Sequence, residues 1–359
     1  MSLTTDRLEM GPVAGSASAH SGTALADPSA PLSGVPYAGL PDPGLPAPRP
    51  RIGLATRRSR RDRLAELAAQ KTAAGAGWAI VVILAGVLVF LLVQGWPALA
   101  AGADDLPAHA SDFWTLAGPL AFGSLWASAL ALSLAAPIAI AVALAITQYA
   151  PRRLRTALGG AIDLLAAVPS VVYGLWGLMT VAPLLARVYP WLTAHLGWLP
   201  FFAGQPSASG RTILTAAIIL ALMVVPIMAA VCREVFVRAP ASSAEAAYAL
   251  GATRWETIRL AVLPFARSGI ISGAMLGLGR ALGETMAVAM VLSPTPFLVT
   301  FHLVESSNPN TVAAFIAQTF PEAHGLETSA LIALGLILFA LTFAVNAAAR
   351  RVAARAAGK

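Results

Sequence analysis

The sequence has little of what a soluble enzyme is built from. Cys232 is its one cysteine, which excludes an internal disulfide framework and a Cys-rich metal site. The five histidines, His20, His109, His195, His302 and His324, stand far apart and show no metal-ligand spacing. Lysine occurs only at Lys71 and Lys359, and neither follows a G-x-x-x-x-G-K-[ST] loop, so ATP hydrolysis by that route is excluded. No metal, no cofactor and no catalytic residues are expected. Charge is scarce as well. Charged residues make up 11% of the 359 positions, against about 25% in soluble domains.

What is abundant is apolar surface. Hydrophobic residues account for 57% of the chain, with a mean hydropathy of +0.73. They cluster into runs of the roughly 20 residues that a membrane span needs. Six such runs occur, at about 76–96, 120–147, 158–184, 212–232, 268–292 and 328–349. The second and third are longer than needed and contain Pro137 and Pro169, so tilt or kinks are expected, and the fourth holds Pro226. The expected fold is therefore all-α, a polytopic membrane protein with six transmembrane helices.

The net charge of +7 could suggest a nucleic-acid partner, but the arginines follow topology. Arg152, Arg153 and Arg155 lie in the loop 148–157. Arg233, Arg238, Arg254, Arg259 and Arg267 lie in the loop 233–267, and Arg350, Arg351, Arg355 and Lys359 in the tail 350–359. The alternate loops 97–119 and 293–327 hold no Lys or Arg, and 185–211 holds only Arg187 and Arg211 near its edges. The positive-inside rule then puts both termini and the loop containing Glu245 in the cytoplasm. No nucleic acid is expected.

Residues 1 to about 48 are rich in Pro, Gly, Ala and Ser and cannot bury enough surface to offset their ordering entropy, so they are expected to be disordered. They lack the apolar core of a signal peptide. The basic run Arg49, Arg51, Arg57, Arg58, Arg60, Arg61, Arg63 and Lys71 precedes the first span and reads as an anchor facing anionic membrane lipid. The expected domains are a tail over 1–75, the first span and its loop over 76–118, a core over 119–349 and a basic tail over 350–359. The loop 185–211 is aromatic (Tyr189, Trp191, Trp198, Phe201, Phe202), which suits either an interfacial anchor or a docking surface.

Two stretches carry the functional signal. Ser242-Ser243-Ala244-Glu245 fits a capping box, with Gly251 as a left-handed helix stop. Thr253-Arg254-Trp255-Glu256 fits a second box, opening a helix expected to end near Pro264. Tyr248, Leu250, Trp255, Ile258 and Leu263 would supply its apolar contacts. Such a pair is either a plain hairpin covering the bundle or a grip for a partner.

Beyond a connection FARSGIIS, the fifth span carries Arg280 and Glu284, four residues apart and so on one helical face. A lone charge at mid-span costs about 2.5–3.5 kcal/mol even on the lenient insertion scale, and pairing lowers that. The pair either locks helices together or lines a substrate path. In the second case Arg280 offers a planar fork suited to an oxyanion, and Thr285 could add a hydroxyl. Gly273 with Gly277, and Gly279 with Gly283, are spaced for close helix packing. Asp163 in the third span is a second intramembrane acid, which either partners an arginine or sits at the cytoplasmic rim.

Glu245-Ala246-Ala247, then Gly251, then Leu263-Pro264 resembles the E-A-A-x-x-x-G-x(9)-I-x-L-P signature of ABC importer permeases, with Ala261 standing where the pattern usually has Ile. The runs GLGRALGETMAV and AAVPSVVYGLWGL closely resemble the PstC-type permease of bacterial phosphate ABC importers. The resemblance covers about 76–349. It implies a type I permease fold in the bacterial cytoplasmic membrane and a second homologous permease subunit. It further implies an ATPase dimer inside and an extracytoplasmic phosphate-binding protein outside. ATPase coupling would fall to Glu245, Ala246, Ala247, Gly251, Leu263 and Pro264. The residues alone leave open another oxyanion such as sulfate or molybdate, a secondary transporter relaying charge through Arg280, Glu284 and Asp163, and a scaffold.

Overall fold

The computed structural model describes residues 60–100 and 106–357, so the segment 1–48 and Arg49, Arg51, Arg57 and Arg58 lie outside the described residues. The chain divides into two units at Gln70/Lys71, and the described part of the first, 60–70, is helical. Helix α1, Arg60–Gly95, thus begins well before the expected tail boundary at 75. From Lys71 onward it is exposed along most of its length, an apolar surface suited to lipid.

Among the described residues, six helical stretches are long and apolar enough to cross a membrane, as the sequence predicts: Glu66–Leu99, Phe113–Tyr149, Ser170–Leu196, Ile213–Val237, Arg254–Leu282 and Leu326–Arg351. The second comprises α2, Phe113–Leu144, continued by a π-type turn, Ala145–Tyr149. Asp112 caps α2 through the Thr115 amide at 2.7 Å, and that bond holds the Asp112 carboxyl below its ordinary pKa. Pro119 and Pro137 are absorbed inside the helix.

The third span departs from the expected 158–184. Residues 152–166 form a separate amphipathic helix, α3 (Arg152–Ala166), where the sequence suggested an arginine loop leading into a span. The helix stops at Ala167 because Pro169 disfavours helical geometry in the residue before it. The span itself is α4 (Ser170–Trp176), a π-type turn (Gly177–Val181) and α5 (Ala182–Leu196). Tyr189 in α5 is fully buried rather than interfacial, and its hydroxyl pairs with Thr212 at 2.9 Å and Thr215 at 2.5 Å. Trp191 and Trp198 are exposed, as an interfacial role requires.

At the centre lies α6, Ile213–Val237, the most buried span. It packs against α2 on one side and on the other against α9, Leu263–Leu282. The α6–α9 contact explains the glycine spacing. A Cβ on Gly277 would lie 2.6 Å from Val224 Cγ1, and one on Gly273 would lie 3.4 Å from Val231. Gly269, one further turn back, also meets the side chain of Val235. The close-packed stripe is therefore 269, 273 and 277. Gly279 faces open space and Gly283 lies past the end of α9, so the second expected glycine pair makes no such contact. Gly277→Ala is expected to cost about 1–3 kcal/mol by overpacking, and Gly273→Ala much less. Thermal unfolding of the two variants in detergent checks the difference.

Two short helices complete the fold at the opposite ends of α6. Helix α7, Ala241–Ala249, follows its C-terminus. Near its N-terminus, the segment 293–327 contains an unanticipated helix, α11 (Val312–Thr319), that packs on α12 (Leu326–Ala357), α2 and α10 (Met286–Val291).

Candidate functional site

The α7 end of the bundle presents the helix pair. Helix α7 starts one residue after Pro240, which occupies the N-cap position without a side-chain cap bond. Ser242 is therefore not the cap. The helix begins before the expected box, so Glu245 lies too far along to reach back to its own N-terminus. Among the described residues no hydrogen bond or ion pair engages the Glu245 carboxylate, and the residue is exposed, as is Ala246, while Ala247 is half-buried. The stop at Gly251 is as expected. Gly251 has φ +85°, its N–H bonds Tyr248 O at 2.9 Å, and Ala252 N–H bonds Ala247 O at 3.0 Å.

The second box does form. Thr253 Oγ1 accepts from the Glu256 N–H, and Glu256 Oε2 accepts from the Thr253 N–H at 2.7 Å. The helix it opens, α8 (Arg254–Thr257), does not end at Pro264. It passes through a third π-type turn, Ile258–Val262, and continues as α9, with Pro264 in the first turn after it. Proline lacks an N–H, and the first turn of a helical segment is where that loss is tolerated. FARSGIIS is accordingly helical. Ile258 is buried and Leu263 half-buried, whereas Tyr248, Leu250 and Trp255 are exposed rather than packed as apolar contacts. Leu250 is 90% exposed, which is costly in water unless something covers it.

The second candidate lies where the fifth span breaks. The sequence predicts one helix over 268–292, but α9 ends at Leu282, and Gly283, Glu284 and Thr285 leave the helix before α10 resumes. Glycine and a β-branched threonine flank the break, and both weaken helix continuation. Irregular backbone at membrane depth persists only where protein buries it or water reaches it.

The break separates Arg280 from Glu284. The two form no ion pair. Glu284 is 8% exposed and its Oε1 accepts from the Ala287 N–H at 3.2 Å, capping the start of α10. Arg280, half-buried, opens into a cleft of about 620 Å³ with Ser272 of α9, Ile227 of α6 and Asn346 of α12. Its Nε is buried and has no hydrogen-bond partner among the described residues. Thr285 lines a different cleft, beside Ala313, Ile316 and Phe320, and its hydroxyl donates to Gly283 O at 3.2 Å. The three residues are thus gathered at one break but do not form one cluster. Asp163 is paired instead with Arg233 at 3.3 Å, joining α3 to α6 near the α7 end.

Asn308 is a residue the sequence did not single out. Fully buried, its Nδ2 donates to the carbonyls of Arg211 (3.0 Å), Ser293 (3.3 Å) and Ser306 (3.0 Å), and its Oδ1 accepts from Ile213 N–H at 2.8 Å. It ties the 293–310 segment to the first turn of α6. An asparagine in a polar loop carries no pattern that would have marked it.

Residues 135–358 match the family described as binding-protein-dependent transport system inner membrane component. The chain belongs to that family. It is a multi-pass membrane protein and a transport component, not a catalytic subunit. It is 43% identical over 310 residues, 82% of this chain and 92% of the relative, to phosphate transport system permease protein PstC 2 of Mycobacterium tuberculosis. To the phosphate transport system permease protein PstC of Mycobacterium leprae it is 44% identical over 274 residues, 74% of this chain and 85% of the relative. Among solved structures, a bacterial ABC transporter involved in the import of the acidic polysaccharide alginate aligns at 16% identity and a TM-score of 0.49, covering 80% of this chain and 98% of that one. The matched region includes the α7–α8 pair, the broken fifth span and Asn308.

Proposed function

We propose that the chain is one permease subunit of an ATP-driven importer that moves inorganic phosphate inward across the bacterial cytoplasmic membrane. The observation that carries this reading is the 43% identity to a phosphate transport system permease over 82% of the chain. The arginine distribution supports an orientation with both termini and α7 in the cytoplasm. The core 119–349 would pair with a second homologous permease subunit. An ATPase dimer would bind the exposed α7–α8 surface, and a phosphate-binding protein would deliver substrate at the α11 end.

In this scheme Glu245, Ala246, Ala247 and Gly251 form the ATPase grip, and Leu263 and Pro264 connect it to the fifth span. The unengaged Glu245 carboxylate beside an apolar patch is what a docking helix would offer. Arg280, Glu284 and Thr285 line or support the phosphate path.

Reconstitution of the full complex in vesicles tests the reading. Phosphate uptake should require ATP inside and the binding protein outside. Uptake that persists without ATP and collapses with an uncoupler would overturn it in favour of a secondary transporter. Glu245→Ala should lower uptake by about ten- to a hundredfold, the span of a typical coupling energy, with membrane insertion unchanged. Normal co-purification of the ATPase together with normal uptake would remove Glu245 from the grip.

A further inference from the structure

Two of the three π-type turns, Ala145–Tyr149 at the end of α2 and Ile258–Val262 between α8 and α9, line one open cleft of about 290 Å³. Ala241, Ala244 and Tyr248 of α7 line it too. The helix pair is thus separated from the end of α2 by space at this point, rather than packed against it. Across that space the Arg254 guanidinium carbon lies 4.9 Å from the centroid of the Tyr149 ring, within cation–π range.

Both partners sit at structurally defined points. Tyr149 is the last residue of the α2 π turn, which closes through Ala150 N–H to Ala145 O at 2.8 Å. Its far side is anchored where Arg155 Nε donates to Ala150 O at 3.0 Å. Arg254 is the first residue of α8, held by the Thr253–Glu256 capping box, and lies one turn before the second π turn. A π turn contains one residue more than an α turn. Converting its i→i+5 bond to i→i+4 shifts the downstream helix by about one residue, roughly 1.5 Å and 100°. Such a conversion would give the two discrete arrangements that transmission between distant sites requires.

We infer that the Arg254–Tyr149 contact is a transmission joint: it passes displacement of the docked α7–α8 pair to the end of α2, with the two π turns taking up the motion. Tyr149 and Arg254 are positioning residues, and neither touches substrate. The inference rests on the proposed ATPase docking. Tyr149 is half exposed, so its ring adds little to the core, and a purely structural role predicts little effect from changing it.

The test uses the complete importer in vesicles, measuring phosphate moved per ATP hydrolysed and ATPase co-purification. Tyr149→Leu and Arg254→Gln should each lower transport per ATP by about fivefold or more, with the ATPase still bound. Tyr149→Phe, which keeps the ring face, should be normal. The double variant should be no worse than either single one, as for two halves of one contact. Normal coupling in both single variants, additive losses in the double variant, or a defect in Tyr149→Phe equal to that of Tyr149→Leu would each overturn the joint. So would loss of the ATPase from Arg254→Gln, which would make Arg254 part of the docking surface. Failure of the importer reading itself shows separately, as absence of ATP-dependent uptake in the unaltered complex.

Discussion

Arg280→Gln is expected to abolish phosphate uptake while leaving the protein inserted and bound to its partners. Arg280 forms no ion pair with Glu284, its Nε is buried without a partner, and it opens into a cleft. A half-buried cation held this way is costly unless a ligand or water meets it. The guanidinium fork can give an oxyanion two parallel charge-assisted bonds. Glutamine has similar reach but no charge and no fork, so the expected loss is about 3 kcal/mol, on the order of a hundredfold in anion affinity. Arg280→Lys keeps the charge and loses the fork, so it should fall between the two.

Phosphate uptake with the complete complex, alongside size-exclusion of the assembly, checks this. A variant that fails to assemble would make Arg280 a helix lock, and one that transports normally would remove it from the path. Glu284→Gln retains an oxygen to accept from Ala287 N–H. It should leave α10 in place, and its effect on uptake should be independent of Arg280.

The second large effect is expected from Asn308→Ala. Four backbone groups lose their partner at once: the N–H of Ile213 and the carbonyls of Arg211, Ser293 and Ser306. A buried, unpaired group such as the Ile213 N–H costs about 1–3 kcal/mol, the three part-buried carbonyls less because water reaches them, and relaxation recovers part of the sum. A net loss of about 3 kcal/mol or more is expected, or roughly 5 °C in melting temperature. Asn308→Asp keeps the acceptor but deletes the donors and buries a charge, so it should be no better. Melting in detergent and the protease sensitivity of residues 293–310 report the outcome. A variant as stable and as resistant as the parent would show that Asn308 is not the tie.

Local signals in the sequence were reliable where one segment decides its own structure. Thr253 with Glu256 forms the capping box its spacing predicts, because the bonds span three residues. Gly251 ends α7 with positive φ because a residue without Cβ reaches that region at little cost. Ser242 failed by the same logic read too narrowly, since Pro240 starts the helix earlier. Arg280 and Glu284 are four apart, but i,i+4 geometry holds only in an unbroken helix, and the break at Gly283–Thr285 sends them to different surroundings.

By itself the sequence determined that this chain has six segments apolar and long enough to cross a membrane, where α7 stops, and which signature that helix carries. Those properties depend on the hydropathy of single segments and on bonds between near neighbours. Only the tertiary structure decided that the fifth span is broken, that α3 is separate from the third span, that Asn308 ties a loop to α6, and that Arg254 reaches Tyr149. The last two depend on groups far apart in the chain, 95 positions for the Asn308–Ile213 bond, and the first two came from local helix breakers whose effect the hydropathy runs did not show. Hydropathy cannot register a hydrogen bond that must be satisfied from another segment once water is gone.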